Sequence, residues 1–395
     1  MPDTTTSKPA DQGPAFFSYG FRPFFLSASL FAGVALPVWF LLLTDTIDLD
    51  FLYPAREWHV HEMIFGFLPC VIAGFILTAI PNWTNRPALC GLPLMLLFSL
   101  WLAGRLSIAC PWIPSLAAAI IDCSFLVALA GVVWREIIAG QVWNRAPIGI
   151  VISLYAVANI VFHVSALGAT ETDLATRMAL GLLMILLALI GGKITPGFTE
   201  DFLQEADITK QPAPFSRFDG LAILLVALAA LVWVVQPRHM VAGGVLITAG
   251  LVNMIRLSRW HGWMTWREPL VLILHVGYGW LALSLLTLGG SILGFGLPSE
   301  HAIHALTTGT VGAMTLAVMT RATLGHTGRQ KHAGPMTMLI YLMVNLGAIL
   351  RLLAPTMEGL STSMLGMATV GWSGAYLLFA MIYGPYLLRP SLDNE

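Results

Sequence analysis

Apolar residues run through this chain in long blocks, each closed by a short polar or proline-containing segment. Twelve blocks are long enough to cross a bilayer, which takes roughly 20 residues. They fall near 22–43, 60–80, 91–109, 113–133, 147–168, 174–192, 218–235, 240–257, 269–290, 302–320, 334–353 and 364–388. Their length and their richness in Leu, Ala and Met predict helices, because a backbone facing lipid must satisfy its own hydrogen bonds. The third and fourth blocks are separated only by Cys110-Pro111-Trp112, which predicts a tight hairpin.

Composition agrees. Hydrophobic residues make up 57% and charged residues 10%, with a mean hydropathy of +0.79. Soluble domains carry about 25% charged residues, so the chain reads as an all-α polytopic membrane protein. A net charge of −1 gives no sign of a nucleic-acid partner. Residues 1–14 are polar and lack the apolar core of a signal peptide. They read as a disordered cytoplasmic tail ahead of one transmembrane helical domain over 15–395. The four cysteines (Cys70, Cys90, Cys110 and Cys123) form no Cys-x-x-Cys pair. That argues against covalent haem attachment and thiolate zinc, and small buried hydrophobes are the simpler reading.

Alternate loops collect Lys and Arg unequally, 15 on the side of the termini against 5 on the other. The positive-inside rule then places both termini in the cytoplasm. The longest expected loop, 193–217, is cytoplasmic and has room for a small extramembrane helix. An internal repeat is also a candidate. Aligning His61, Thr176 and His304 brings Gly66, Gly181 and Gly309 into register five residues on, and Thr84, Thr199 and Thr327 into register 23 residues on. This suggests three four-helix units, 20–135, 143–260 and 266–388, around a pseudo-three-fold axis, with functional sites where units meet.

Ionisable residues inside membrane spans are functional candidates by default. The topology puts His59, His61, His163, His301 and His304 in the outer third of the membrane, His275 in the inner half and His326 at the inner end of its span. Imidazole at such depth suits haem iron, copper or a proton relay. His59 and His61 point about 200° apart on a helix, so one metal cannot take both unless the helix is unwound. His59 shares a face with Glu62 and Met63, and His301 with His304. His239, His261 and His332 lie in loops and read as water-satisfied. Arg105, Arg177 and Arg351 could clamp haem propionates, although snorkelling to the interface is the simpler role. Met178, Met314 and Met319 read as packing, and Gly66, Gly181 and Gly309 as sites of close helix contact.

The strings WHVHEMIFGF, VIAGFILTAIPNWTNRP, ANIVFH, IGGKITPGFT, LHVGYGW and HALTTGTVGAMTLAVMTRATLGHTGR together resemble the NnrS family. Those are bacterial inner-membrane proteins containing haem and copper, linked to the nitric oxide response. The similarity extends from about Gly20 to Arg351. It implies haem b, one or two, with copper or non-haem iron as a second metal. The family's motif histidines match His59, His61, His163, His275, His304 and His326, whereas His301 has no counterpart and Lys193 replaces a customary arginine. The implied activity is nitric oxide reduction at a haem–metal centre fed by membrane quinol. His61 and His304 would be ligands, His163 would serve haem or copper, and Glu62 would tune the site or deliver protons. Arg177 would hold a propionate, and His275 would hold a second haem. A non-catalytic haem protein that binds or senses nitric oxide is the alternative, and a twelve-helix transporter the second.

Overall fold

The computed structural model describes residues 14–357 and 359–392. The tail expected over 1–14 lies, apart from Pro14, outside the described residues. Twelve helices are long and apolar enough to cross a membrane. They are α1 (Phe21–Leu43), α2 (Ala55–Thr84), α3 (Gly91–Ala109), α4 (Ser115–Ala139), α5 (Ala146–Leu167) and α6 (Asp173–Glu205). There follow α7 (Arg217–Val235), α8 (Met240–Ser258), α9 (Pro269–Ile292), α10 (Ser299–His326), α11 (Pro335–Leu353) and α12 (Ser361–Leu388). No strand occurs among the described residues, so the expected all-α architecture holds and each expected span has its helix.

Local chemistry sets the ends. Proline opens α5, α9 and α11 in the first turn, where its missing N–H costs nothing. Ser216 and Asp219 form a reciprocal capping box at the start of α7, satisfying two otherwise orphaned donors. Asn85, at φ 53°, turns the chain out of α2 in the left-handed conformation.

Several boundaries differ from the sequence reading, and two of them shape the interior. Helix α6 does not stop at 192 but continues through Pro196 to Glu205, for a length of about 50 Å. The polar residues from Lys193 onward hid this from a hydropathy count, yet Thr199 and Leu203 are fully buried and hold the extension against the bundle. Helix α2 starts five residues early and widens to a π-helix over Glu62–Phe67. A second π segment spans Ala305–Thr310 in α10. The segments begin one residue after His61 and His304, two histidines that the candidate repeat aligns. Helix α6, which carries the third aligned residue, is α-helical throughout.

Consecutive helices pack side by side, and α12 returns to α1. Arg22, 2% exposed, locks that seam. Its guanidinium donates to the carbonyls of Leu387 and Arg389 at 3.0 and 2.5 Å and to Ser391 Oγ at 2.9 Å. These contacts satisfy carbonyls that the end of α12 leaves open and put a cation at the negative pole of the helix dipole. Inside the ring, α2 is the most enclosed helix. It packs on α1, α4 and α10, and its π segment also touches α3 and α6. Large apolar side chains such as Leu96, Ile120, Val164 and Leu224 face outward, as a lipid-facing wall requires.

Candidate metal centre

The densest polar cluster lies between α2, α3, α4 and α5, in the half of the bundle away from the described chain ends. Its members are His61 and Glu62 of α2, Arg105 of α3, Asp122 of α4, and Asn159 and His163 of α5. All six are buried, none above 6% exposure. One ligand atom each from His61, Asp122 and His163 lies within 4.8 Å of the other two. His163 Nε2 is 2.9 Å and His61 Nε2 3.3 Å from Asp122 Oδ2.

The far sides of both imidazoles are held. His61 Nδ1 lies 2.9 Å from Glu62 Oε1, and His163 Nδ1 lies 2.5 Å from the Tyr53 hydroxyl. Such partners fix the tautomer and orientation of a metal-ligating histidine. Here they turn both Nε2 atoms toward one carboxylate oxygen. Asn159 completes the frame, donating from Nδ2 to Asp122 Oδ2 at 2.8 Å and placing Oδ1 3.2 Å from His61 Nε2.

Arg105 bridges the two carboxylates, donating to Glu62 Oε1 and Asp122 Oδ1. The snorkelling expected from its sequence position does not occur, because two acids inside the bundle hold it there. Two glycines make the space. A Cβ on Gly66 would collide with Arg105 Nη1, and one on Gly104 would come within 2.8 Å of Asp122 Oδ1. Glu62 was expected on the face of His59. Its carboxylate meets His61 and Arg105.

The outer histidines therefore divide into two groups. His59 turns away from His61, as the helical period requires, and stacks on Trp39 with centroids 4.5 Å apart. It lies within charge range of His304 and Arg351. His304 Nδ1 donates to the Glu300 carbonyl at 2.9 Å, and Nε2 makes no hydrogen bond among the described residues. Arg351 reaches His301 at 3.4 Å. His61 and His304, each expected as a ligand, lie in different groups: His61 beside Asp122 and His163, His304 beside His59 and Arg351.

The remaining candidates stand apart. His275 Nε2 donates to Thr199 Oγ1 at 2.8 Å, and that hydroxyl in turn donates to Thr195 O. Its Nδ1 packs on Gly262, where an added Cβ would lie 2.5 Å away. Nδ1 is buried and makes no hydrogen bond among the described residues, with Gly262 leaving room for it that a side chain would fill. His326 stacks on Tyr19, 5.8 Å between centroids, at the face of the chain ends. Arg177 is half-buried within charge range of Asp173 and Arg238 and contacts none of the candidate histidines. A second charged cluster joins Asp219, Asn253, Arg256 and Tyr278, with Arg256 Nε 3.0 Å from Asp219 Oδ1. Arg256 is 1% exposed, buried near the end of α8.

The sequence reading missed Asp122, Asn159 and Tyr53. Asp122 left a signal, since it is the only acid between Ser115 and Trp134 in an apolar span. Asn159, four residues before His163, shares its helix face.

Comparison with known families gives a match to the family described as NnrS protein, over residues 15–391. No curated protein matches the chain.

Proposed function

The chain belongs to the NnrS family, multi-pass membrane proteins of the nitric oxide response, and from that premise we propose that it removes nitric oxide by reduction at a metal centre on His61, Asp122 and His163. The observation that carries this is the convergence of two Nε2 atoms on Asp122 Oδ2, with both Nδ1 atoms held from behind. Two imidazoles and one carboxylate suit non-haem iron, and imidazole equally suits copper. The charge fits too. Glu62, Asp122 and Arg105 sum to one negative charge in a dry site, which a bound cation or a proton on an imidazole neutralises.

Haem b fits His304. A free Nε2 backed by a carbonyl on Nδ1 is the arrangement an axial histidine needs. His59 and Arg351 are the neighbours that would face the macrocycle and a propionate. When bound, haem and the second metal would supply electrons and coordinate nitric oxide. The protein's own groups orient, exclude water and move protons. Arg105 holds the Glu62 and Asp122 carboxylates fixed between α2 and α4. Glu62, on His61 Nδ1, and Tyr53, on His163 Nδ1, are the groups through which protons reach the imidazoles. Tyr53 precedes α2 on the face opposite the described chain ends, so this route opens there.

The test has two parts. Metal and haem content are assayed in the purified protein and in His61→Ala, His163→Ala and His304→Ala. The first two should lose the non-haem metal and retain haem, and the third should lose haem absorbance. Nitric oxide consumption is then followed with a short-chain quinol as donor. Turnover supports reduction, whereas uptake that stops at one equivalent per haem replaces it with capture. Full metal content in both His61→Ala and His163→Ala would remove the centre.

A further inference from the structure

A cavity of about 300 Å³ opens on the face that holds the described chain ends, remote from the metal centre. It runs down between α1, α2, α6, α9 and α10. Phe25, Phe75, Ile194 and Leu274 make its depth apolar, while Asp201, Arg321, His326 and Lys331 line its polar end. At about 30 Å³ per water it holds the volume of about ten waters, enough for a body of one or two rings.

Arg321 decides what could occupy it. The residue is half-buried, and its guanidinium lies 3.9 Å from the Phe198 ring centroid. Among the described residues it makes no hydrogen bond and no ion pair. Asp201, Glu268 and Glu205 lie within charge range of Arg321, and none of them is in ion-pair contact with it. A cation drawn partly out of water without an anionic partner is unfavourable, and an aromatic face compensates only in part. Its N–H donors suit a carboxylate or phosphate, which arginine takes in a paired geometry. Arg321 and Lys331 are the cations that line the cavity and Asp201 the lining acid, and one anionic head would take up the unused donors of Arg321. His326, whose ring is fixed on Tyr19, borders this cavity and meets no other metal candidate.

We propose that this cavity binds a small amphipathic anion, with an apolar body among Phe25, Phe75 and Leu274 and a carboxylate or phosphate head on Arg321. The site is separate from the metal centre and does not depend on it.

The probe is 1-naphthoate, with neutral 1-naphthalenemethanol as comparator, titrated onto the full-length protein in phosphatidylcholine nanodiscs. Naphthoate should bind at least tenfold more tightly than the alcohol. Arg321→Gln should bring the two within threefold by weakening naphthoate alone, and its retained alcohol binding shows an intact cavity. Ala79→Phe, which fills the apolar part, should weaken both probes with the melting temperature maintained. Repeating the titration in phosphatidylglycerol nanodiscs separates two sources of the natural head group. A weaker apparent affinity there identifies a competing lipid phosphate, and an unchanged one identifies a soluble anion. Naphthoate binding no stronger than to empty nanodiscs, equal binding of the two probes, or a preference that survives Arg321→Gln would overturn the proposal.

Discussion

Removing Arg105 is the most direct trial of the charge arrangement. The residue is 6% exposed and bridges Glu62 and Asp122, which are 2% and 3% exposed. The three charges sum to −1. In Arg105→Met they become −2 in the same dry volume, with no solvent to screen them. Breaking a buried pair by deleting one partner costs about 3–5 kcal/mol. Arg105 serves two acids, so the upper half of that range is expected. The triple variant Arg105→Met, Glu62→Gln, Asp122→Asn removes all three charges and should lie within about 1 kcal/mol of the parent, since uncharged replacements of buried pairs are often neutral.

Unfolding is followed in mixed micelles of mild detergent and dodecyl sulfate, on metal-stripped protein so that ligand binding adds no stability of its own. A double-mutant cycle between Arg105→Met and Glu62→Gln isolates the pair. The double variant should be more stable than Arg105→Met alone, with a coupling of about 1–3 kcal/mol. A cost below about 1 kcal/mol for Arg105→Met, or costs that add within about 0.5 kcal/mol, would mean that the site is wet or its acids are neutral. The charge argument for a bound cation would fall with it.

Other expectations follow from the same geometry. Tyr53→Phe removes the hydroxyl behind His163 and should lower affinity for the non-haem metal by about 10–100-fold, the usual effect of losing such a partner, as read by competition with a chelator. Gly66→Ala drives a methyl group into Arg105; a loss of about 1–3 kcal/mol is expected for such overpacking, with reduced metal content assayed in parallel. Arg22→Ala releases the end of α12 and should expose the segment after Leu388 to limited proteolysis while leaving haem and metal content unchanged.

The fold was legible because a bilayer makes few demands and makes them loudly. Twelve apolar blocks gave twelve helices, and the misjudged boundaries lie where amphipathic residues extend a helix beyond the slab, as in α6. The site was legible only in part. His61 and His163 stand 102 positions apart, and spacing on one helix cannot say which neighbour a ring will face. It could say that His59 and His61 must part, and they do. It could not foresee that the Glu62 carboxylate would meet His61 and Arg105. The weightiest omission, Asp122, followed from searching for histidines when the buried charge was the stronger clue. An acid in mid-span is costly until something pairs with it. Arg105, two histidines and an asparagine converge on Asp122 for that reason, so the carboxylate, more than any imidazole, organises the centre.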